Sequence, residues 1–174
     1  MALTLVATAG AADANSYATV AEGTAYHEGR LHNTAWEDAS PSDRAAALVW
    51  ATRILEAKYA GAWVGWPTYT TQALAHPRRG LVRTNGYDYI PENIVAQEIK
   101  NATIELSRLL LAEDRAAESD IQAQGITSLK AGPVFLQFKD DLTKIVVPEQ
   151  VTTLIPSWWF EAINSGFNAD IVRR

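Results

Sequence analysis

Residues 91–114 read PENIVAQEIKNATIELSRLLLAED. Ile94, Val95, Ile99, Ala102, Ile104, Leu106, Leu109 and Leu110 put apolar side chains on more than one side of a 3.6-residue helix. A helix that is apolar in several directions is buried from several directions. The pattern therefore predicts a central helix, opening at Pro91 or Glu92 and running to about Asp114. Upstream, Ser40-Pro41-Ser42-Asp43 is a helix start, with a polar cap just before proline. Ala47, Leu48, Ala51, Ile54, Leu55, Lys58 and Tyr59 then form one stripe that ends at Gly61. A first helix is expected from about Thr19 to Leu31, capped by Asn15 or Ser16, with Glu22 in its early turns. Residues 1–15 read as an arm ending in a turn.

Downstream, two short runs rich in β-formers flank Gly132-Pro133 and predict a β-hairpin over 126–139. A last short helix lies near Glu149–Leu154, limited by Pro156. The expected class is mainly α: a small helical bundle with a short β-hairpin and extended terminal arms. Residues 1–156 form one helical domain with an inserted loop at 61–91, and 157–174 form a separate tail. The loop holds Gly61, Gly65, Pro67, Pro77, Gly80, Asn85-Gly86 and Pro91 and reads as structureless, a length that tends to mark interaction. Asn85-Gly86 is its strongest turn signal.

The 174 residues suffice for one domain with its own core. No cysteine is present, which excludes disulfides, thiolate metal sites and Cys nucleophiles. A net charge of −5 argues against general nucleic-acid binding, which needs a basic face. The apolar start MALTLVATAG has no basic residue before it and is soon followed by Asp13 and Asn15, so no signal peptide is expected. No apolar stretch approaches the roughly 20 residues of a membrane span. A soluble, intracellular-type domain is expected.

Motifs for chemistry are missing. His27 and His32 are five apart rather than four, and HExxH does not occur. Surface positions are expected for these two histidines and for His76, and no metal or other cofactor is expected. GxSxG, SxxK and a phosphate loop are likewise absent. The acidic pairs Glu37-Asp38, Glu113-Asp114 and Asp140-Asp141 read as solvated surface. No enzymatic activity is expected.

Two segments read as surfaces. In the loop, Arg78, Arg79 and Arg83 interleave with Trp63, Trp66, Tyr69, Tyr87 and Tyr89. Cations among aromatics suit single-stranded nucleic acid, and the same residue types form protein–protein hot spots. The acidic balance favours the protein interface. The second segment is the aromatic run Trp158-Trp159-Phe160, with Phe167 beyond it and Arg173-Arg174 at the end. It either folds onto its own core or docks on a partner.

The order of Asn15-Ser16-Tyr17, Ala51-Thr52-Arg53, Gln72-Ala73-Leu74-Ala75-His76-Pro77-Arg78-Arg79-Gly80 and Ala131-Gly132-Pro133 resembles the head–tail connector (adaptor) proteins of tailed bacteriophages. Some of these carry the label of DnaT-like single-stranded-DNA-binding proteins. The resemblance spans about residues 15–155, with His76 where an aromatic, usually Trp, is expected. It implies a structural virion protein, made in the host cytoplasm and located in the neck. There it would form a homo-oligomeric ring, a dodecamer, beneath the portal and hand on to a downstream neck or tail protein. Genomic DNA would pass through its channel without specific binding. The resemblance implies that a C-terminal segment reaches the portal, and the aromatic tail, with Trp158, Trp159, Phe160, Phe167, Arg173 and Arg174, suits that docking. It implies that a loop or hairpin faces neighbours, and the loop residues Trp63, Trp66, Tyr69, Arg78, Arg79, Arg83, Tyr87 and Tyr89 suit that contact. The alternative is a single-stranded-DNA-binding replication accessory protein.

Overall fold

The computed structural model describes residues 3–113, 128–131, 134–137 and 146–160, the hairpin residues by backbone alone. It is mainly helical, with a small antiparallel hairpin.

Helix α1, Val20–Glu28, is capped by Thr19 rather than by Asn15 or Ser16. The Thr19 hydroxyl accepts from Glu22 N–H at 3.1 Å, and the Glu22 carboxylate accepts from Thr19 N–H at 2.8 Å. This reciprocal box satisfies two donors that the first turn leaves open. The Asn15 side chain is occupied elsewhere. It accepts from Val6 N–H and donates to the Thr4 carbonyl, both at 2.8 Å, and so holds the N-terminal arm. The one-turn helix α2, Thr34–Glu37, is not foreseen in the sequence pattern; it carries Trp36 into the interior. Helix α3, Pro41–Lys58, starts as expected, with the Ser40 hydroxyl accepting from Asp43 N–H at 3.2 Å.

Helix α4 is Gln97–Ala112, several residues shorter at its start than expected. Residues 91–96 are spent on a turn, Ile94 N–H to the Pro91 carbonyl at 3.4 Å, and on an approach that buries Val95 and Ala96. The central placement holds. Ile99 and Ala102 through Ser107 are all buried, which covers every direction around the axis. Helices α1, α2 and α3 pack on α4, as does the short α5, Glu149–Thr152. The main core joins Tyr17, Leu55, Trp63, Leu81, Ile99, Leu106, Val151 and Trp159. A smaller cluster of Ala18, Trp36, Leu48 and Ile104 lies on the other side of α4. Glu105 is buried in α4 and bonded at 2.7 Å to both Arg30 and Arg108, so its charge is paired.

Segment 61–91 is not structureless. Strands β1, Trp66–Pro67, and β2, Arg78–Arg79, pair antiparallel with Trp66 opposite Arg79. The His76–Pro77 peptide between them is cis. A second hairpin follows, with Val82 opposite Tyr89 and Ile90 N–H on the Leu81 carbonyl at 2.8 Å. Its tip is the Asn85-Gly86 turn, with Gly86 at φ +79 and the Asn85 side chain accepting from Tyr87 and Asp88 N–H. Strands β3, Ser128–Ala131, and β4, Val134–Gln137, form the expected later hairpin, with Ser128 opposite Gln137. The remainder of 126–139 lies outside the described residues. Among the described residues no helix is long and apolar enough to cross a membrane.

Candidate interaction surface

The arginine–aromatic segment divides into anchors and exposed groups. Trp63 and Arg78 are anchors, not contacts for a neighbour. Trp63 is 6% exposed, with its ring against Tyr59, His76 and Phe160. Arg78 is buried, and its guanidinium donates to four carbonyls: Val64 at 2.9 Å, Gly65 at 2.6 Å, Trp63 at 3.2 Å and Ala75 at 3.3 Å. Loop carbonyls turned inward need donors, and a planar fork with five N–H groups supplies them from one side chain. Sequence reasoning took Arg78 as an exposed cation because the pattern shows charge and not which way the chain turns.

Histidine placement also differs from expectation. His32 is exposed, but His27 and His76 are buried. His76 lies edge-on to both Tyr17 and Trp63. Burial, with the neighbouring Arg78 charge, pushes its pKa down to about 3, so the ring is neutral. Burial also holds His27 below its usual value, partly opposed by the Glu105 carboxylate. Beside His76, the Tyr17 hydroxyl donates to Glu56, and Glu56 also accepts from Ala75 N–H at 3.1 Å. Burial and the Glu56 charge raise Tyr17 well above its usual value. These groups tie the loop to α3. Among the described residues no group of three or more His, Asp or Glu could hold a metal ion.

The exposed set is Trp66 at 76%, Tyr69 at 43%, Tyr87 at 89% and Tyr89 at 69%, with Arg79 and Arg83. Arg79 donates to the Thr68 carbonyl at 2.7 Å and faces Glu92 at 3.7 Å. Asp88 sits at the hairpin tip, bonded to Asn85 at 2.7 Å. Arg79 therefore has a carboxylate beside it, and Arg78 faces inward, so the three arginines do not form one exposed basic track.

The aromatic run splits between neighbours. Trp159 is fully buried and donates from Nε1 to the Val82 carbonyl at 2.7 Å. Phe160 is half-buried, stacked on Tyr59 at 4.5 Å, and its backbone bridges to Trp63. The packed body thus extends through Phe160, past the boundary expected at Pro156, and Trp159 and Phe160 are core rather than docking residues. Trp158 is 53% exposed. It lines a cleft of about 490 Å³ with Thr84, Glu149, Thr153, Leu154 and Pro156. Phe167, Arg173 and Arg174 lie outside the described residues.

Sequence reasoning missed Trp50, which is 43% exposed on α3. Its signal was available: Trp50 falls off the apolar stripe of that helix, on the face opposite the core.

The whole chain, residues 1–174, matches the model of one protein family, described as "Putative DnaT-like ssDNA binding protein". No curated protein and no solved structure matches it. The chain therefore belongs to the DnaT-like family of that description.

Proposed function

We propose that this chain is a structural virion protein, a head-to-tail adaptor that forms a ring beneath the portal of a tailed bacteriophage and lines the DNA channel. One observation carries the reading. Trp66, Tyr87, Tyr89 and Trp158 stand exposed on backbone that Arg78, Asn85 and Trp159 hold in place. Trp and Tyr are enriched at protein–protein interfaces, and a pre-ordered backbone lowers the entropy lost on binding. The acidic balance of −5 fits a channel through which DNA slides, because like charge weakens adhesion to phosphate. The functional role is packing, not catalysis. Mass spectrometry of purified particles, with electron microscopy of the neck, tests this. The chain should be found in the neck; its absence from mature particles ends the reading.

The second reading is single-stranded-DNA binding, and the family description favours it. Stacking platforms are present in Trp66 and Tyr87, but Arg78 faces inward and Arg79 faces Glu92. Fluorescence anisotropy with a labelled oligonucleotide decides. Salt-sensitive binding at micromolar protein supports the second reading, and its absence removes it.

A further inference from the structure

Helix α3 buries Ala47, Leu48, Ala51, Thr52 and Leu55 against the body. Its opposite face carries Ala46, Trp50, Arg53 and Ala57, three or four residues apart and all exposed. Trp50 is 43% exposed, between Ala46 and Arg53 on this face. Among the described residues no carboxylate pairs with Arg53. This face presents an apolar knob and a cation.

The cleft beside Trp158 presents the converse. Leu154, Pro156 and Trp158 supply apolar wall, and Glu149 supplies an anion. Glu149 is exposed and, among the described residues, in no ion pair. An open cleft of about 490 Å³ has room for an indole. A carboxylate at its edge selects a cation and repels phosphate. Trp and Arg are the residues that most often dominate binding when such a pocket closes over them.

We infer that Trp50 and Arg53 of one copy seat in the Glu149–Trp158 cleft of the next copy. The inference rests on the adaptor reading for its ring. The two patches differ, so the contact is head-to-tail: each copy offers a knob to one neighbour and a cleft to the other. Such a contact closes into a ring when its rotation divides a full turn.

The absence of cysteine makes the test direct. Ala57→Cys and Thr153→Cys, both at exposed positions and both sparing Arg53 and Glu149, are combined in one chain and oxidised, as concentrated protein and within purified particles. Circular dichroism first establishes that each variant keeps its helical content. The double variant should give a ladder of dimers, trimers and higher species on a non-reducing gel. Each single variant should stay at monomer size, and a mixture of the two single variants should stop at dimers. A missing ladder in both preparations overturns the inference. So does efficient cross-linking of either single variant, which marks a two-fold contact instead. As a second measurement, Arg53→Glu should weaken self-association at least tenfold, and Glu149→Arg in the same chain should restore it. No loss, or loss without restoration, counts against the pairing. A neck ring without the ladder overturns this contact and leaves the adaptor reading intact. The ladder from a chain absent from particles does the reverse.

Discussion

Trp158 and Trp159 are neighbours in sequence, yet their replacement by alanine should differ by several kcal/mol. Trp159 is fully buried and Trp158 is 53% exposed. A large aromatic buries about 150–250 Å². At about 25 cal/mol per Å², burial of Trp159 contributes roughly 4–6 kcal/mol. Its N–H bond to Val82 adds about 1 kcal/mol, and truncation leaves that carbonyl without its donor. A compact unfolded chain lowers the burial figure by roughly 10–40%. The expected cost of Trp159→Ala is therefore about 3–6 kcal/mol, overlapping the roughly 3–5 kcal/mol found for large-to-small changes at aromatic core positions. Melting should fall by roughly 10 °C, since each kcal/mol moves a domain of this size about 2–4 °C. Trp158→Ala should stay within about 0.5 kcal/mol of the parent. Urea unfolding followed by far-ultraviolet circular dichroism measures both, and an unchanged m-value confirms that stability itself moved. Trp159→Phe keeps ring burial and loses the N–H, so it should fall between the two. Equal losses for Trp158→Ala and Trp159→Ala would refute the placement of Trp159 in the core.

Three further outcomes follow from the loop and its anchors. Arg78→Lys should destabilise by about 2–3 kcal/mol, because an ammonium has three donors and no fork with which to reach four carbonyls; chemical unfolding measures it. Gly65→Ala should lose about 1–3 kcal/mol, since Gly65 has φ +71 and an added methyl would overlap the Arg79 carbonyl; melting of the variant checks this. For His76, burial depresses the folded-state pKa from 6.5 to about 3, so between these values the unfolded chain binds more protons. Its contribution is complete above pH 6.5 and is lost as pH falls toward 3, at up to about 1.4 kcal/mol per pH unit. Stability measured at several pH values should show a shallower acid slope in His76→Phe than in the parent.

Helix α3 and the centre of α4 were legible because periodicity and the Ser40-Pro41 start are local signals. The Asn85-Gly86 turn was legible for the same reason, since its geometry depends on two residues. The cap of α1 was misjudged because Asn15, Ser16 and Thr19 are all good caps; the contact of Asn15 with the distant Val6 and Thr4 removed it from the competition. The exposed aromatics were found, mixed with buried ones of the same type. Composition names Trp63 and Trp66 alike, and only packing separates one that is 6% exposed from one that is 76% exposed.

By itself the sequence determined the helical class, the central helix, the missing catalytic and metal motifs, and the two segments rich in aromatic residues. Those properties rest on local spacing and residue chemistry. Tertiary structure alone decided which way each side chain of segment 61–91 and of the aromatic run points. Trp159 turns inward because Val82, 77 residues away, offers its carbonyl, and Arg78 turns inward because the loop carbonyls converge on it. Bonds between residues so far apart in sequence exist only once the chain has closed on itself, and no local pattern encodes them.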